Sequence, residues 1–436
     1  MSERAYPTIL ALSSAPGRAG VAVVRVSGPR VRFVLETIIG FVPEPRRARY
    51  AALRDADGAV IDHALVLFFQ GPSSFTGEDV AEFHVHGSRA VLARLIARLT
   101  ALPGLKLAEP GAFTRRAFEA GKLDLAAVEG LADLIDSETE WQRRQALRQM
   151  EGALGTMAAG WRARLVEALM LLEAEIDFAD EGDVSGGLVP QALAIAQTLL
   201  PDFAAALGSF RAGERVREGF LVVLAGPPNA GKSSLLNALA RRDVAIVSPV
   251  AGTTRDAIEV RLDLDGLPVL LVDTAGLRDS DDAIEQEGVR RTLGKLAQAD
   301  LVLRLRAIDS VPSSSQVVPA EIALATKADL AGPILPHELP VSAMSGAGLE
   351  ALIGAIGARL REIVTPEPAL VTRERQRLAI AEAEAAIRRA ALVDPDSAEL
   401  AAEELRLAAR ALERLVGRID VEDVLDSLFA GFCIGK

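Results

Sequence analysis

The 436 residues hold a single cysteine, Cys433, which rules out an intrachain disulfide and fits a reducing compartment. Long apolar runs are missing as well. The short apolar stretch at residues 9–12 is too brief for a signal-peptide core, and no run approaches the length of a membrane span. A cytoplasmic protein with no membrane partner is therefore expected. Nor is there an excess of cations: 48 Lys and Arg against 60 Asp and Glu leave a net charge of -12. That excludes a protein that binds nucleic acid simply by coating phosphates with Lys and Arg; a nucleic-acid substrate would need a local basic patch or a more basic partner. Internal repeats are absent too. What is present is the composition of large globular cores, 50% hydrophobic and 25% charged, at a length that suits roughly two to four domains.

Three textures alternate along the chain. Up to about residue 120, short β-like runs such as 21–26 and 64–69 are broken by Gly, Pro and Ser clusters. From about 122 the pattern turns helical: Leu165, Ala168, Leu172 and Ile176 fall on one face. A loop at 182–187 and a helical stretch from Pro190 to about Arg211 follow. From Phe220, strands alternate with helices. The run 220–225 is the uninterrupted apolar kind of a buried parallel strand. Ile258, Val260, Leu262 and Leu264 alternate with polar residues before Asp265-Gly266 turns the chain into 268–272, a hairpin signal. Apolar runs return at 301–305 and 322–325, and 349–364 predicts a closing helix. After Pro366 and Pro368 the chain is helical again, with Leu405, Ala408, Leu412 and Leu415 on one face. Each helical set needs a partner for its stripe, so the two are expected to pack together with the α/β domain inserted between them.

Gly226-Pro-Pro-Asn-Ala-Gly231-Lys232-Ser233 follows a buried strand and opens a helix at Ser234. Glycines let backbone N–H groups approach phosphates, and the helix start favours the anion. Lys232 is placed to reach the β- and γ-phosphates, and the Ser233 hydroxyl to bind Mg²⁺. Asp273-Thr274-Ala275-Gly276 ends the next strand, where a carboxylate can hold the metal through water and a glycine N–H can sense the γ-phosphate. Thr253 and Thr254 lie between them, placed to supply a second metal-binding hydroxyl. Thr326-Lys327-Ala328-Asp329 ends another apolar strand; its carboxylate can accept two N–H donors from guanine, where adenine offers a repelling acceptor. Ser342 and Ala343, with Met344 beside them, can finish the base pocket. In this order the motifs specify GTP over ATP. Leu277 stands where many GTPases carry a water-positioning Gln, so something else must handle the water and the developing charge. Asn229 reads either as a plain loop asparagine or as the holder of a monovalent cation beside the phosphates. Glu285 reads either as a solvated acid near Asp279, Asp281 and Asp282 or as the group that orients the water.

Three further blocks extend the pattern: Ala15-Pro-Gly-Arg-Ala-Gly-Val-Ala-Val-Val-Arg25; residues 74–82 running to His86-Gly87; and residues 110–118 running to Lys122-Leu-Asp124. With the ending Phe432-Cys-Ile-Gly-Lys436, the chain resembles, end to end, the MnmE (TrmE) family of tRNA-modification GTPases. The resemblance implies a multidomain α/β and α protein. Residues 1–121 would form an N-terminal α+β domain for folate binding and dimerisation, and 122–217 with 366–436 a helical domain from two segments. Residues 218–365 would be an inserted Ras-like P-loop GTPase domain. It implies a homodimer working with the flavoprotein MnmG as a heterotetramer on tRNA. The product would be an aminomethyl or carboxymethylaminomethyl group on C5 of the wobble uridine, its carbon drawn from a tetrahydrofolate derivative in the 5,10-methylene or 5-formyl form. By the same resemblance Asn229, Ser248, Val250 and Thr253 correspond to K⁺ positions, Ser233 and Thr254 to Mg²⁺ positions, and Glu285 to the water-orienting acid. Ala230 and Ser234 belong to the nucleotide contacts. Arg25, Glu82, Lys122 and Lys436 correspond to folate contacts, and Cys433 to the cysteine of the modification chemistry.

Departures and plainer readings accompany this. Thr326 stands where Asn is more usual, which weakens the base pocket slightly, and the segment between Leu305 and Ile322 is short for a GTPase helix. Glu82, His84 and His86 alternate on one strand face, a polar face more readily than a metal site. Cys433 read alone is a buried structural thiol. The Arg-rich stretch 373–377 reads as a solvated helix face. A GTPase switch in ribosome assembly would have no reason to carry Arg25, Glu82, Lys122 and the 433–436 ending.

Overall fold

The computed structural model describes residues 7–177, 187–242, 244–246, 259–273, 298–310, 320–365, 367–394, 397–419, 422–432 and 434–435. The chain divides into two compact units, residues 1–132 with 413–436 and residues 133–412.

The first unit is built on a six-stranded sheet of β1 (Thr8–Leu12), β2 (Ala19–Ser27), β3 (Arg49–Arg54), β4 (Val60–Phe69), β5 (Val80–Gly87) and β6 (Leu105–Leu107), in the order β3-β4-β5-β2-β1-β6. Its pairings are antiparallel apart from β1 with β6. Alternation along the strands sends Val24, Val26, Val66, Phe68, Phe83 and Val85 to one face. There they meet the apolar stripes of α1 (Val31–Ile39) and α2 (Arg89–Thr100). The same alternation leaves Arg25, Glu82 and His84 on the opposite, half-buried face. α3 (Ala112–Glu119) and α4 (Leu125–Ile135) follow. The end of the chain returns to this unit: Phe429 and Phe432 pack on Val128, and Ile434 bridges Pro110.

The second unit begins with α5 (Glu140–Met150), α6 (Ala153–Asp177), α7 (Leu188–Gln197) and α8 (Leu200–Glu218). The sequence suggests one helix from Pro190 to about Arg211, but the structure has two. Pro201 sits in the first turn of α8, where its missing N–H is harmless but would break a longer helix, and Gly219 at φ 100 ends α8. The stretch 188–218 also corrects the reading of apolar runs. Its most apolar 18-residue window has a mean hydropathy of 1.3, enough by length and composition alone to cross a membrane. Here α7 packs on α6, and α8 on α5.

β7 (Phe220–Ala225) then opens a second six-stranded sheet, followed by α9 (Lys232–Ala240), β8 (Glu259–Leu264), β9 (Leu267–Asp273), β10 (Leu301–Ala307), β11 (Glu321–Thr326), β12 (Glu338–Val341) and α10 (Leu349–Arg361). The order is β12-β11-β10-β7-β9-β8, parallel except for the β8–β9 hairpin. Asp265 and Gly266 form its two-residue turn with φ of 52° and 86°, the positive values a type I′ turn requires. β7 is central, with its neighbours reached by crossovers in opposite directions, so ligands are expected beyond the carboxyl ends of these strands. The helices α11 (Glu374–Ala390) and α12 (Ala398–Leu415) follow, and α11 packs on α8 and α7. Polar ties join the early and late helical segments: Gln149 donates to the Leu370 carbonyl at 2.7 Å and to Thr372 Oγ1 at 2.9 Å.

Candidate functional site

The phosphate loop leaves β7 through Gly226, where a Cβ would stand 2.5 Å from the Leu305 carbonyl oxygen. No larger residue passes β10 at that distance. Asn229 takes a left-handed φ of 63°, and Gly231, at φ 88°, precedes the first turn of α9 with no side-chain cap. The opening N–H groups of α9 thus face the loop, a setting that favours anions. Lys232 is buried, and its ammonium donates to the carbonyls of Gly226 at 2.9 Å and Pro227 at 3.0 Å. Ser233 Oγ donates to Asp273 Oδ2 at 2.6 Å. Asp273 ends β9 and is 0% exposed. A buried carboxylate touching a hydroxyl is a hard oxygen donor set and suits Mg²⁺.

At the other end of the loop, Thr326 closes β11 and is buried. Its hydroxyl lies 2.6 Å from the Ala230 carbonyl and 3.1 Å from that of Arg306, so it works on the scaffold of the loop. Lys327 follows at a left-handed φ of 57° and pairs with Asp309 at 3.0 Å. Ser342, 0% exposed, donates to Asp329 Oδ1 at 2.5 Å and accepts from the Ser345 N–H at 3.1 Å. Its hydroxyl thereby fixes the Asp329 carboxylate. Gly231, Ser234, Thr326, Asp329, Ala343 and Met344 line a cavity of about 210 Å³, with Lys327 on its wall. The structure therefore gathers the motif residues that follow β11 and β12 and those that open α9 around one space. Ser248, Val250, Thr253, Thr254, Thr274, Ala275, Gly276, Leu277 and Glu285 lie outside the described residues, as do Asp279, Asp281, Asp282 and most of the short segment before Ile322.

Sequence reasoning missed the frame behind this cavity. Arg306 on β10 reaches across β11 to Glu338 on β12, with contacts of 2.6 and 2.7 Å, and also donates to Pro333. The Arg306 hydrogen bonds hold the Glu338 carboxyl below its ordinary value, although burial opposes them. Arg306 falls within a largely apolar strand and Glu338 opens another, the one signal that marked them.

In the first unit, Arg25 and Glu82 face each other across β2 and β5 and form an ion pair at 2.9 Å. The Arg25 guanidinium lies 5.7 Å from the Phe75 ring and 5.6 Å from the Phe113 ring, a flat cation between aromatics. Its neighbourhood includes the chain's far end: Ser13 Oγ donates to the Gly435 carbonyl at 3.0 Å, and Arg25 approaches the same oxygen. Lys122 is placed beside Gly77 of the loop that leads into β5, where a Cβ would stand 3.8 Å from its Cε. Arg116, unassigned by the sequence, secures that loop. It donates to Glu78 at 2.6 Å and to the Pro7 carbonyl at 2.7 Å, and Glu78 accepts from Ser27 at 2.8 Å. Cys433 and Lys436 lie outside the described residues. The alternating trio is divided between partners: His84 approaches Glu82 at 3.4 Å, while His86 pairs with Asp62 at 2.9 Å. Among the described residues no three His, Cys, Asp or Glu gather as a metal site.

A phosphate loop on the central strand, a buried aspartate on the serine that follows its lysine, and an aspartate-bearing base cavity define a P-loop protein of the guanine-nucleotide-binding class. Comparison with known proteins carries the assignment further. The family model described as "GTP-binding protein TrmE N-terminus" matches residues 8–122, and the one described as "MnmE helical domain" matches residues 125–433. The chain is 53% identical to the tRNA modification GTPase MnmE of Azorhizobium caulinodans, over 99% of this chain and 100% of that one. It is 54% identical to the protein of that name from Beijerinckia indica, over 98% and 96%, and 51% identical to that of Parvibaculum lavamentivorans, over 98% and 100%. The chain belongs to the MnmE family.

Proposed function

We propose that this protein is a cytoplasmic, K⁺-dependent GTPase that modifies tRNA. Acting as a homodimer with the flavoprotein MnmG, it adds an aminomethyl or carboxymethylaminomethyl group to C5 of the wobble uridine, using a folate one-carbon unit. The observation that carries this reading is one chain, similar over its full length to proteins named tRNA modification GTPase MnmE, that holds both the Ser233–Asp273 pair and the Arg25–Glu82 pair.

The roles divide by unit. In residues 133–412, Lys232 would move from the loop carbonyls to phosphate oxygens, trading two neutral acceptors for charged ones. Ser233, Asp273 and Thr254 would hold Mg²⁺, which when bound neutralises charge on the β- and γ-phosphates. Asn229, Ser248, Val250 and Thr253 would hold K⁺ in place of an arginine finger, and Glu285 would orient the attacking water. Asp329, fixed by Ser342, would read the guanine edge. In the first unit, Arg25 and Lys122 would meet the glutamyl carboxylates of a folate, and Glu82 the pterin N–H groups. Lys436 would add a cation and Cys433 a thiol to that chemistry.

The deciding experiment is mass spectrometry of tRNA nucleosides from cells with and without the protein. Loss of the C5-modified wobble uridine is expected; a normal modification level without the protein would remove the proposal. Turnover compared in K⁺ and Na⁺ tests the cation: a rise of roughly tenfold or more in K⁺ is expected, and equal rates would refute the role given to Asn229.

A further inference from the structure

Beside the base cavity stands an ion pair that belongs to neither the phosphate loop nor the guanine-reading carboxylate. Lys327 lies in the cavity wall, and its ammonium meets Asp309 at 3.0 Å and 3.3 Å, one contact to each carboxylate oxygen. The two are 18 positions apart, on the turns that leave β11 and β10.

We propose that Asp309 is a positioning residue for nucleotide binding. By anchoring the Lys327 ammonium, it holds the four-carbon stem extended along the cavity wall, so that the stem covers the flat face of a bound purine. The inference rests on the reading of this cavity as the guanine site.

Three features support it. Lys327 is one of few non-glycine residues at positive φ, so its backbone direction is unusual and its side chain leaves the strand end at a set angle. Asp309 stands on a firm turn. The Ile308 N–H donates to the Thr326 carbonyl at 2.9 Å, Ser310 donates twice to the Ala307 carbonyl, and Gly332 lies so close that a Cβ would stand 2.5 Å from the Ile308 oxygen. The pair itself is exposed, with 35% of the Lys327 side chain and 47% of Asp309 open to solvent. Exposed ion pairs contribute little to folding, so the consequence of this one lies in where it keeps the lysine. A lysine stem has several rotatable bonds, and an unanchored one must be ordered by the nucleotide itself. The Lys327 stem approaches a ring face, while Asp329 serves the ring edge. Losing the anchor therefore weakens every purine that fills the cavity by the same factor, whatever its edge carries.

The test is calorimetric titration of the full chain, wild type, Asp309→Asn and Asp309→Glu, with GDP and with IDP, which lacks the guanine amino group. Asp309→Asn is expected to weaken both nucleotides about three- to tenfold and equally, the size for one long side chain ordered on binding instead of beforehand. KM for GTP should rise by that factor while kcat changes less than about twofold. Asp309→Glu should recover part of the loss, and the melting temperature of the unliganded variants should match wild type. Unchanged binding by Asp309→Asn overturns the proposal. So does a loss for GDP alone, which would mean that Asp309 acts through the Asp329 edge. If wild type binds neither nucleotide, the base-site reading falls and takes the inference with it.

Discussion

Two residues of the nucleotide site act through others, and their chemistry makes distinct predictions. The Thr326 hydroxyl joins the phosphate loop to β11 through Ala230. Thr326→Val keeps the shape and removes the donor, leaving a buried carbonyl without it, at a cost of about 1–3 kcal/mol. The expected result is a lower melting temperature and a raised KM for GTP, with Thr326→Ser near wild type in both. Glu338 gives a pH-dependent case. Its folded pKa is lowered from 4.5, mainly by the Arg306 hydrogen bonds. Its contribution to stability is therefore complete above the ordinary value and is lost as pH falls through the lowered one. Glu338→Gln should be less stable than wild type at pH 7, and the gap in denaturant midpoint should close as the buffer is taken from pH 5 down to pH 3. A gap that is constant with pH would mean that the carboxylate charge is unimportant. Neither role is legible in the sequence, because the partners lie 96 and 32 positions away and only the pairing of β7, β10, β11 and β12 in one sheet brings them together. Lys232, Ser233 and Asp329 were legible because their motif fixes both residue type and element.

At the level of elements, legibility followed burial. β7 could be placed to the residue because a central parallel strand is apolar on both faces, and the β8–β9 hairpin because Asp265-Gly266 allows few other turns. The helix α1 could not be so placed. Its sequence is rich in Val and Ile, and it becomes helical because Val31, Val34, Leu35 and Ile38 then share one face over the first sheet. The hairpin also does something that no motif announces. Its turn is seated on the start of α5: the Trp141 N–H donates to the Gly266 carbonyl at 3.2 Å, and Arg261 pairs with Glu138 at 3.0 Å. A Cβ on Gly266 would stand 3.2 Å from the Trp141 ring, and the residue would be held at an unfavourable φ of 86°. Gly266→Ala should therefore cost about 1–2 kcal/mol, read as a lower melting temperature. Because β9 ends on Asp273, the displaced hairpin should also lower the kcat for GTP, whereas Gly160→Ala on α6, which meets open space, should change neither. An unaltered kcat in a destabilised Gly266→Ala would show that the seat serves stability alone.

For the whole molecule, the telling arrangement is that the last residues of the chain lie with the first. The sequence showed the 433–436 ending only as a pattern; the place of Gly435 beside Arg25 goes with a contact between residues 422 positions apart, which no local signal encodes. The site in residues 1–132 and 413–436 is therefore made from both ends of the chain, whereas the nucleotide site is made wholly within residues 133–412. The two activities should then be separable by one change at the terminus. Gly435 takes φ 104°, and a Cβ there would stand 2.1 Å from the Leu12 carbonyl oxygen, so Gly435→Val cannot keep the tail in place. Removing the tail from Arg25 should abolish the C5 modification in tRNA from cells that carry only this variant. GTP turnover by the purified variant in K⁺ should stay within about twofold of wild type, because the residues that line the nucleotide cavity belong to the other unit. If turnover and modification fell together, the nucleotide site would depend on the tail, and the division of labour between the two units would be wrong. If modification survived, Gly435 and its neighbours would be ornament to the Arg25–Glu82 site rather than part of it.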